Sequence, residues 1–293
     1  TKNVQIFFFI FLFVILLSVT DSKIIFYSGE RMSENLNEFK SILTKVYLSD
    51  PCSVLPNPLW KTFGHLTDIQ TDIKSKGDNV TKLQAFNQRE FMVYWSCFYE
   101  NPDISEAEKK EFRLVVINQK YENFFDKLSF PIVMRYFRLQ HSGTELPAAL
   151  SSQYYYEDVD IEKDCHMVSD FIGKCYENIK PSEKRVKSWT ETGVFDNSLW
   201  LWIKEKGSGT PVALGIAEKD VINGEGSLEY IQVDPAFRGK GICKTLVNEL
   251  VHRLYTKISI VTVSGDLYNI SNCEAVYRKC NFEGDSVWSV LKK

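Results

Sequence analysis

The sequence predicts an α/β protein of the α+β type, with a sheet-based domain in the C-terminal half and a smaller α+β domain before it. The chain has 293 residues, of which 44% are hydrophobic and 25% are charged, so it can bury one large core or two ordinary ones. Strand and helix patterns alternate through the C-terminal half. The N-terminal half combines helical patterns with a β-prone aromatic segment at 91–99.

The C-terminal half follows the order strand, two helices, three strands, helix, strand, helix, strand. Helices are assigned where apolar residues recur at helical spacing, and strands where short β-rich runs lie between glycine-containing or proline-containing turns. The predicted ranges are, in order, 154–159, 161–175, 181–189, 199–204, 212–218, 228–233, 242–254, 258–263, 272–280 and 287–291.

Composition divides the chain into four segments. Residues 1–22 are a hydrophobic N-terminal segment, and residues 32–135 are the smaller accessory α+β domain. Residues 136–152 have linker composition, with Gly143 and Pro147 among polar and small residues. Residues 153–293 then form the C-terminal domain.

The N-terminal segment has an apolar run at residues 4–19 with Lys2 ahead of it. The run is shorter than the roughly 20 residues of a membrane span, and it is typical of a signal peptide or a marginal membrane anchor. The chain begins with Thr1, and Met32 would make an ordinary start directly before the first amphipathic helix. We therefore keep two alternatives: a signal or membrane anchor, or a non-native extension.

Charge and cysteine content limit the class of protein. The net charge of −3 does not support a nucleic-acid-binding surface, so we expect no nucleic-acid partner. The seven cysteines are odd in number and include no Cys-x-x-Cys pair, which argues against a disulfide framework and a structural metal site. We expect a cytoplasmic protein, or a membrane-anchored one whose C-terminal domain faces the cytosol.

The most informative stretch is residues 228–254, where a predicted strand, a turn, a glycine-bearing loop and an amphipathic helix follow one another. The strand ends at Asp234-Pro235, and Arg238-Gly239-Lys240-Gly241 precedes the helix. Glycines let backbone N–H groups approach an anion closely, and a helix N-terminus adds a favourable dipole. We therefore predict that this loop binds a phosphate or pyrophosphate.

Two motifs and the order of elements resemble the GNAT superfamily of N-acetyltransferases. Residues 232–242 are similar to that family's Gln/Arg-x-x-Gly-x-Gly/Ala signature with a preceding Val-x-Pro, and residues 277–282 are similar to its Tyr-x-x-x-Gly-Phe ending. The sequence departs from the family at Cys243, where a third Gly or Ala is common, and at Asn281, which replaces Gly. The resemblance covers about residues 150–293 and implies a mixed, twisted sheet with splayed central strands.

The resemblance extends more weakly to the N-terminal half. Some GNAT proteins carry a second, degenerate GNAT-like unit, and this half has a suitable size and α+β character. It contains no Gly-x-Gly signature, so we expect no intact second cofactor site. The alternative is an accessory domain that shapes the acceptor cleft.

The resemblance implies acetyl-CoA as co-substrate and no metal. Backbone N–H groups of residues 238–243 would hold the pyrophosphate, and backbone groups on the motif strand would hold the pantetheine arm. Two asparagines would assist the arm, although capping of the following helix also explains the second. The implied cofactor-binding residues are Ile231, Gln232, Val233, Arg238, Gly239, Lys240, Gly241, Ile242, Cys243, Asn269 and Asn272.

The resemblance also implies two catalytic residues. Tyr277 is the candidate acid that protonates the leaving thiolate; its alternative is a packed core aromatic. Glu229 is the candidate base that deprotonates the attacking amine; its alternative is a structural or substrate-orienting role. Glu225 and Glu218 are weaker candidates for the base.

The predicted function is transfer of an acetyl group from acetyl-CoA to a primary amine by direct attack, without an acyl-enzyme. The acceptor is expected to be a small-molecule or peptide amine. The alternative is a catalytically inactive CoA-binding module that serves as a sensor or interaction domain. Membrane attachment through residues 4–19 stays open.

Overall fold

The structure is a computed structural model that describes residues 29–64, 66, 70–86, 90–96, 105–141, 143, 149–176, 179–256, 258–269 and 271–293. The predicted hydrophobic segment at 1–22 lies outside the described residues. The described chain divides into two compact units. The first, called the loop unit here, comprises Gly143–Val261 and Lys279–Asn281; the second, called the N-terminal unit, comprises Phe26–Ser142, Thr262–Arg278 and Phe282–Lys293.

Strands and helices follow the predicted order in the C-terminal half. The strands are β1 Gln70–Lys76, β2 Asn79–Phe86, β3 Glu90–Ser96, β4 Leu114–Asn118, β5 Ile132–His141, β6 Tyr154–Asp158, β7 Trp200–Glu205, β8 Pro211–Asp220, β9 Glu225–Val233, β10 Ile260–Asp266 and β11 Phe282–Lys292. The helices are α1 Gly29–Ser49, α2 Pro51–Val54, α3 Leu59–Phe63, α4 Glu106–Glu111, α5 Ile161–Cys175, α6 Glu183–Trp189, α7 Ile242–Leu254 and α8 Cys273–Arg278. Short 3-10 helices are η1 Gln119–Phe124, η2 Asn197–Leu199 and η3 Pro235–Phe237.

The loop unit is built on the antiparallel strands β6 to β9, in the order β9-β8-β7-β6. Helices α5 and α6 cover one face, where Val168, Ile172 and Val186 join a buried cluster with Trp200 and Tyr230. Helix α7 covers the other face. A Cβ on Gly215 of β8 would lie 2.7 Å from Leu250 and 2.8 Å from Leu246, so only glycine permits this close helix–strand approach.

The N-terminal unit contains strands in the order β1-β2-β3-β4-β11-β5-β10. Neighbours are antiparallel except β3 and β4, which are parallel. Helix α1 buries Phe39, Leu43 and Tyr47, spaced four residues apart, in a cluster that includes Leu83 and Ala85 of β2. The amphipathic pattern thus determines which face of α1 is buried.

Residues 136–141, which we expected in a linker, form the second half of strand β5 instead. Phe137 and Leu139 are buried, and β5 pairs with β11 along its length. The strand was missed because its partner comes from the far end of the chain, and the Gly and Pro that suggested a linker follow only at 143 and 147. The predicted boundaries of the domains otherwise stay predictions.

No helix among the described residues is both long and apolar enough to cross a membrane.

Candidate active site

The end of β9 and the turn that follows are held by Asp234. Its carboxylate accepts hydrogen bonds from the Ala236 N–H at 3.0 Å and from Lys174 Nζ at 2.5 Å. Asp234 is 4% exposed. Burial alone would raise the pKa of its carboxyl, but the hydrogen bonds from Lys174 and Ala236 outweigh burial and lower the pKa. The charged carboxylate therefore ties the start of the loop to the last turn of α5.

The loop then enters α7 through two glycines in the left-handed conformation. Gly239 has a φ of 78° and Gly241 a φ of 80°. A Cβ at either would meet nothing within 4 Å, so backbone conformation rather than crowding requires glycine here. Gly241 is the N-cap of α7, and as a glycine it provides no side chain to cap the first N–H groups of this helix.

Arg238 is engaged with the backbone. Its Nε donates to the Val233 carbonyl at 3.2 Å, and its Nη2 lies 3.4 Å from the Cys175 carbonyl. The guanidinium thus helps to fix the loop. The Lys240 ammonium lies 4.6 Å from the Phe237 ring centroid and remains exposed. Two cationic side chains therefore flank the glycines, one of them with a clear structural role.

Glu229 lies in a β-bulge that the sequence pattern did not reveal. Ile216 pairs with Tyr230, whereas Ala217 pairs with Leu228, so Glu229 is the extra residue of β9. Its Oε1 accepts a hydrogen bond from Ser227 Oγ at 2.8 Å, and the residue is half-buried. A bulge changes the direction of the side chains along a strand. The Glu229 carboxylate therefore lies where β9 departs from regular pairing.

The remaining predicted residues of β9 differ in their surroundings. Ile231 pairs with Gly215, and this face of the strand is the one covered by α7. The Val233 carbonyl accepts from Arg238 and so is engaged in the described structure. Gln232, on the opposite face, is 4% exposed, and neither atom of its carboxamide has a hydrogen-bond partner among the described residues.

The other cofactor candidates in the loop unit are at the start of α7. Ile242 is the first helical residue and is 3% exposed, so its side chain belongs to the core and only its N–H could face a ligand. Cys243 follows it and is half-buried.

The weaker base candidates lie farther along the same hairpin. Glu218 is half-buried and pairs in register with Ser227. Glu225 is 1% exposed at the first residue of β9, the end opposite to the glycine loop. As candidate base, Glu229 in the bulge is therefore favoured over Glu225, which lies at the far end of β9.

Aromatic residues line the α5–α6 face beside the bulge. The Trp189 ring stacks on Tyr230 with centroids 5.0 Å apart and an interplanar angle of 20°. Burial raises the pKa of the Tyr230 phenol, so it stays protonated. The indole N–H groups of Trp189 and Trp200 have no hydrogen-bond partner within the described part of the chain.

Three of the predicted site residues belong to the N-terminal unit. Tyr277 is 8% exposed, and its ring lies 6.1 Å from Phe137 and 5.7 Å from Phe282 between centroids. Asn269 Oδ1 accepts from the Ser271 N–H at 2.8 Å and from its hydroxyl at 2.5 Å, so this carboxamide oxygen caps a local turn. Asn272 has a φ of 49°, the left-handed conformation, just before α8.

Sequence reasoning missed the contacts of Asp234. The Asp-Pro pair signals the turn, but nothing in the local sequence identifies Lys174, which precedes it by 60 residues. The aromatic stack of Trp189 and Tyr230 was missed for the same reason, since its members come from a helix and a distant strand. Asn281, which replaces the Gly of the family's ending, adopts a φ of 57°, a left-handed conformation that Asn tolerates.

No group of three His, Cys, Asp or Glu side chains is placed to hold a metal ion within the described residues.

Comparison with known proteins finds a family match in the C-terminal half of the chain. Residues 165–282 match the acetyltransferase (GNAT) family model. The chain is similar to a GCN5-related N-acetyltransferase from Sphaerobacter thermophilus, with a TM-score of 0.56, 14% identity and coverage of 73% of this chain and 77% of the other. No curated protein matches the chain by sequence.

Two further solved structures are similar over more of the chain. A GNAT-family acetyltransferase from Colwellia psychrerythraea has a TM-score of 0.56, 13% identity and coverage of 87% of this chain and 96% of the other. A tandem GNAT protein from the clavulanic acid biosynthesis pathway has a TM-score of 0.54, 10% identity and coverage of 89% and 95%. The predicted family and fold are confirmed: the C-terminal half contains a GNAT-family domain, which supports acyl transfer as the class of reaction.

Proposed function

Because the C-terminal half of this chain contains a GNAT-family domain, we propose that the protein transfers an acetyl group from acetyl-CoA to a primary amine. The amine is that of a small molecule or a peptide. The observation that carries the proposal is the start of α7. There, two left-handed glycines lead into a 13-residue helix without a side-chain cap in the described structure.

The glycine loop fits the pyrophosphate of the donor for two physical reasons. N–H groups in the first turn of a helix have no partner within the helix and can donate to phosphate oxygens, and the helix dipole favours negative charge at this end. The first turn, Ile242-Cys243-Lys244, contains no acidic residue that would repel an anion. Lys240 adds positive charge beside the glycines.

The reaction needs a neutral amine, although free alkyl amines have pKa values near 10. In the proposed reaction the amine nitrogen attacks the thioester carbon, so that a C–N bond forms and the C–S bond breaks. Glu229 accepts the proton that the amine loses, and Tyr277 donates a proton to the departing thiolate. Direct attack forms no acyl-enzyme, so the thiol of Cys243 takes no part in the reaction and its side chain serves in packing.

We propose that residues 32–135, a part of the N-terminal unit, form a degenerate second GNAT-like unit. Two features support this choice over an unrelated accessory domain. The likeness to the tandem GNAT protein extends over 89% of this chain. Within the unit, α4 also connects two parallel strands, β3 and β4, as expected of a β–α–β element.

A second candidate function, an inactive CoA-binding sensor or interaction module, is favoured by one observation. Tyr277 is 8% exposed and contacts two phenylalanine rings, which suits a core aromatic as well as it suits an acid. A chain with an intact glycine loop and a packed Tyr277 would bind CoA without turnover.

One experiment in two steps separates these functions. Calorimetry with acetyl-CoA should give one site per chain, because the sequence of residues 32–135 contains no Gly-x-Gly signature. Thiol release should then be followed across pH on a panel of small amines and peptides, for the wild type and for Glu229→Gln. Release by the wild type supports the transferase, and an unchanged pH–rate profile in Glu229→Gln removes that residue as the base.

Two results of the same experiment count against the proposal. Binding of acetyl-CoA without thiol release on a broad panel would favour the inactive module. Absence of CoA binding would exclude both functions.

A further inference from the structure

We propose that the Gln232 side chain hydrogen-bonds an amide group of the donor's pantetheine arm, an inference that rests on the proposed use of acetyl-CoA. Gln232 is the second-last residue of β9, immediately before the segment that leads into the glycine loop. A side-chain contact here would add to the backbone contacts expected on either side of it.

The starting observation is an amide that is buried and unpaired. Gln232 is 4% exposed, and neither Nε2 nor Oε1 has a hydrogen-bond partner among the residues that the structure describes. Most buried polar groups in folded proteins are hydrogen-bonded, because leaving a donor or acceptor unpaired in the interior costs stability. A buried polar group that is unpaired in the free protein is therefore a candidate to hydrogen-bond a ligand.

The surroundings of Gln232 are apolar, and packing would not require a glutamine there. It pairs with Leu214, and the alternation of side chains puts it on the same face as Tyr230. Leu214 and Tyr230 both belong to the apolar cluster under α5 and α6. Leucine or methionine would fill such a site without an unsatisfied group, so packing alone does not account for glutamine.

The chemistry of a carboxamide matches an amide ligand. One carboxamide can donate through Nε2 and accept through Oε1, which are the complements of an amide carbonyl and an amide N–H. The phosphate end of the donor is proposed to lie at Gly239 and Gly241, a few residues farther along the chain. The neutral, amide-bearing arm is therefore the part of the donor suited to a neutral, half-apolar site next to the loop.

The test replaces Gln232 with methionine, which keeps the length of the side chain and removes both polar atoms. Calorimetry should show the Kd of CoA rising about tenfold, the scale of one net hydrogen bond. Binding of adenosine 3′-phosphate 5′-diphosphate, which lacks the arm, should be unchanged. Steady-state kinetics should show a higher KM for acetyl-CoA with an unchanged KM for the amine.

The melting temperature of Gln232→Met distinguishes ligand binding from a purely structural role of Gln232, because loss of a structural role would lower it. Gln232→Met should melt at the same temperature as the wild type or higher, because it removes an unpaired amide. Gln232→Leu repeats the test with a different apolar shape. The matched control is Gln84→Met in the N-terminal unit, where another glutamine is 2% exposed and its Oε1 is unpaired within the described residues.

The outcomes are distinct from those of the proposed function. If the wild type binds CoA and Gln232→Met and Gln232→Leu bind it equally well, the inference is wrong and the proposed function stands. Equal weakening of CoA and of the arm-less nucleotide would also overturn it, because the effect would then arise at the loop. If the wild type binds no CoA, both ideas fail together.

Discussion

Two helices of this protein each come after a strand in the sequence, but their N-termini differ in how they would receive an approaching anion. Helix α7 of the loop unit has Gly241 as its N-cap, and a glycine has no side chain that could cap the first turn. Helix α4 of the N-terminal unit has Ser105 as its N-cap. The Ser105 hydroxyl accepts from the Glu108 N–H at 3.2 Å, and the Glu108 carboxylate accepts from the Ser105 N–H at 2.9 Å.

The difference lies in charge as well as in hydrogen bonding. The first turn of α4 contains Glu106 and Glu108, whereas that of α7 contains none. Acidic residues and a capping box satisfy the free N–H groups and complement the dipole internally. A helix capped in this way needs no external anion at its N-terminus and is closed to phosphate. An uncapped helix such as α7 gains most from an external anion.

The largest effect is expected when the N-terminus of α7 receives an acidic residue, as the N-terminus of α4 has. Gly241→Asp places a carboxylate where the pyrophosphate is proposed to bind, and Asp tolerates the left-handed φ better than most residues. We expect the Kd of CoA to rise on the order of 10²–10³-fold, from repulsion of about 4 kcal/mol at close range near the surface. Calorimetry measures the loss.

Gly241→Asn is the matched control, because it has the same shape without the charge and should retain most of the affinity. Gly207→Ala is a second control: Gly207 has a φ of 90° in the turn between β7 and β8, far along the chain from the loop. Strain alone should lower stability there by about 1–2 kcal/mol and leave CoA binding intact. Equal affinity of Gly241→Asp and wild type would refute the loop as the phosphate site.

The next largest effect concerns Tyr277, which is proposed to donate a proton to the departing thiolate. Tyr277→Phe removes only the hydroxyl and preserves the ring contacts with Phe137 and Phe282. We expect the affinity for CoA to be unchanged and kcat to fall on the order of 10²-fold, the scale of acid–base catalysis. Thiol-release kinetics check this, and full activity in the variant would return Tyr277 to a role in packing.

The contrast between α7 and α4 also shows what the sequence could predict. The glycines at 239 and 241, the bounds of α7 and the order of the C-terminal elements were all visible in local patterns. Such features depend on backbone conformation and periodicity, which neighbouring residues encode. The fold class and the candidate phosphate loop were therefore accessible without a structure.

Features that depend on residues distant in the sequence could not be predicted from local patterns. The bulge at Glu229 follows from the register between β8 and β9, and strand β5 was missed because β11 pairs with it from the end of the chain. The unpaired state of Gln232 is a property of three-dimensional surroundings. Sequence patterns indicated a polar residue on a strand, but they could not indicate that nothing bonds to it.

The smallest effect concerns the attachment of the loop through Asp234. Asp234→Asn keeps an acceptor for the Ala236 N–H but removes the charge that binds Lys174. We expect a loss of about 1 kcal/mol in the free energy of unfolding at pH 7, because Lys174 is exposed and can be hydrated. The affinity for CoA should also weaken several-fold, since the turn before the glycines becomes looser.

The sign of the pH dependence follows from the lowered pKa of Asp234. The stabilisation is complete above the unfolded-state pKa of about 4 and is lost as pH falls through the folded-state pKa, so wild type and Asp234→Asn should converge in acid. Asp196→Asn is the matched control, because Asp196 binds Lys219, caps η2 and also has a lowered pKa. It should reproduce the acid-dependent loss of stability without weakening CoA binding. If both variants weaken CoA equally, general destabilisation explains the effect, and Asp234 has no specific role in holding the loop.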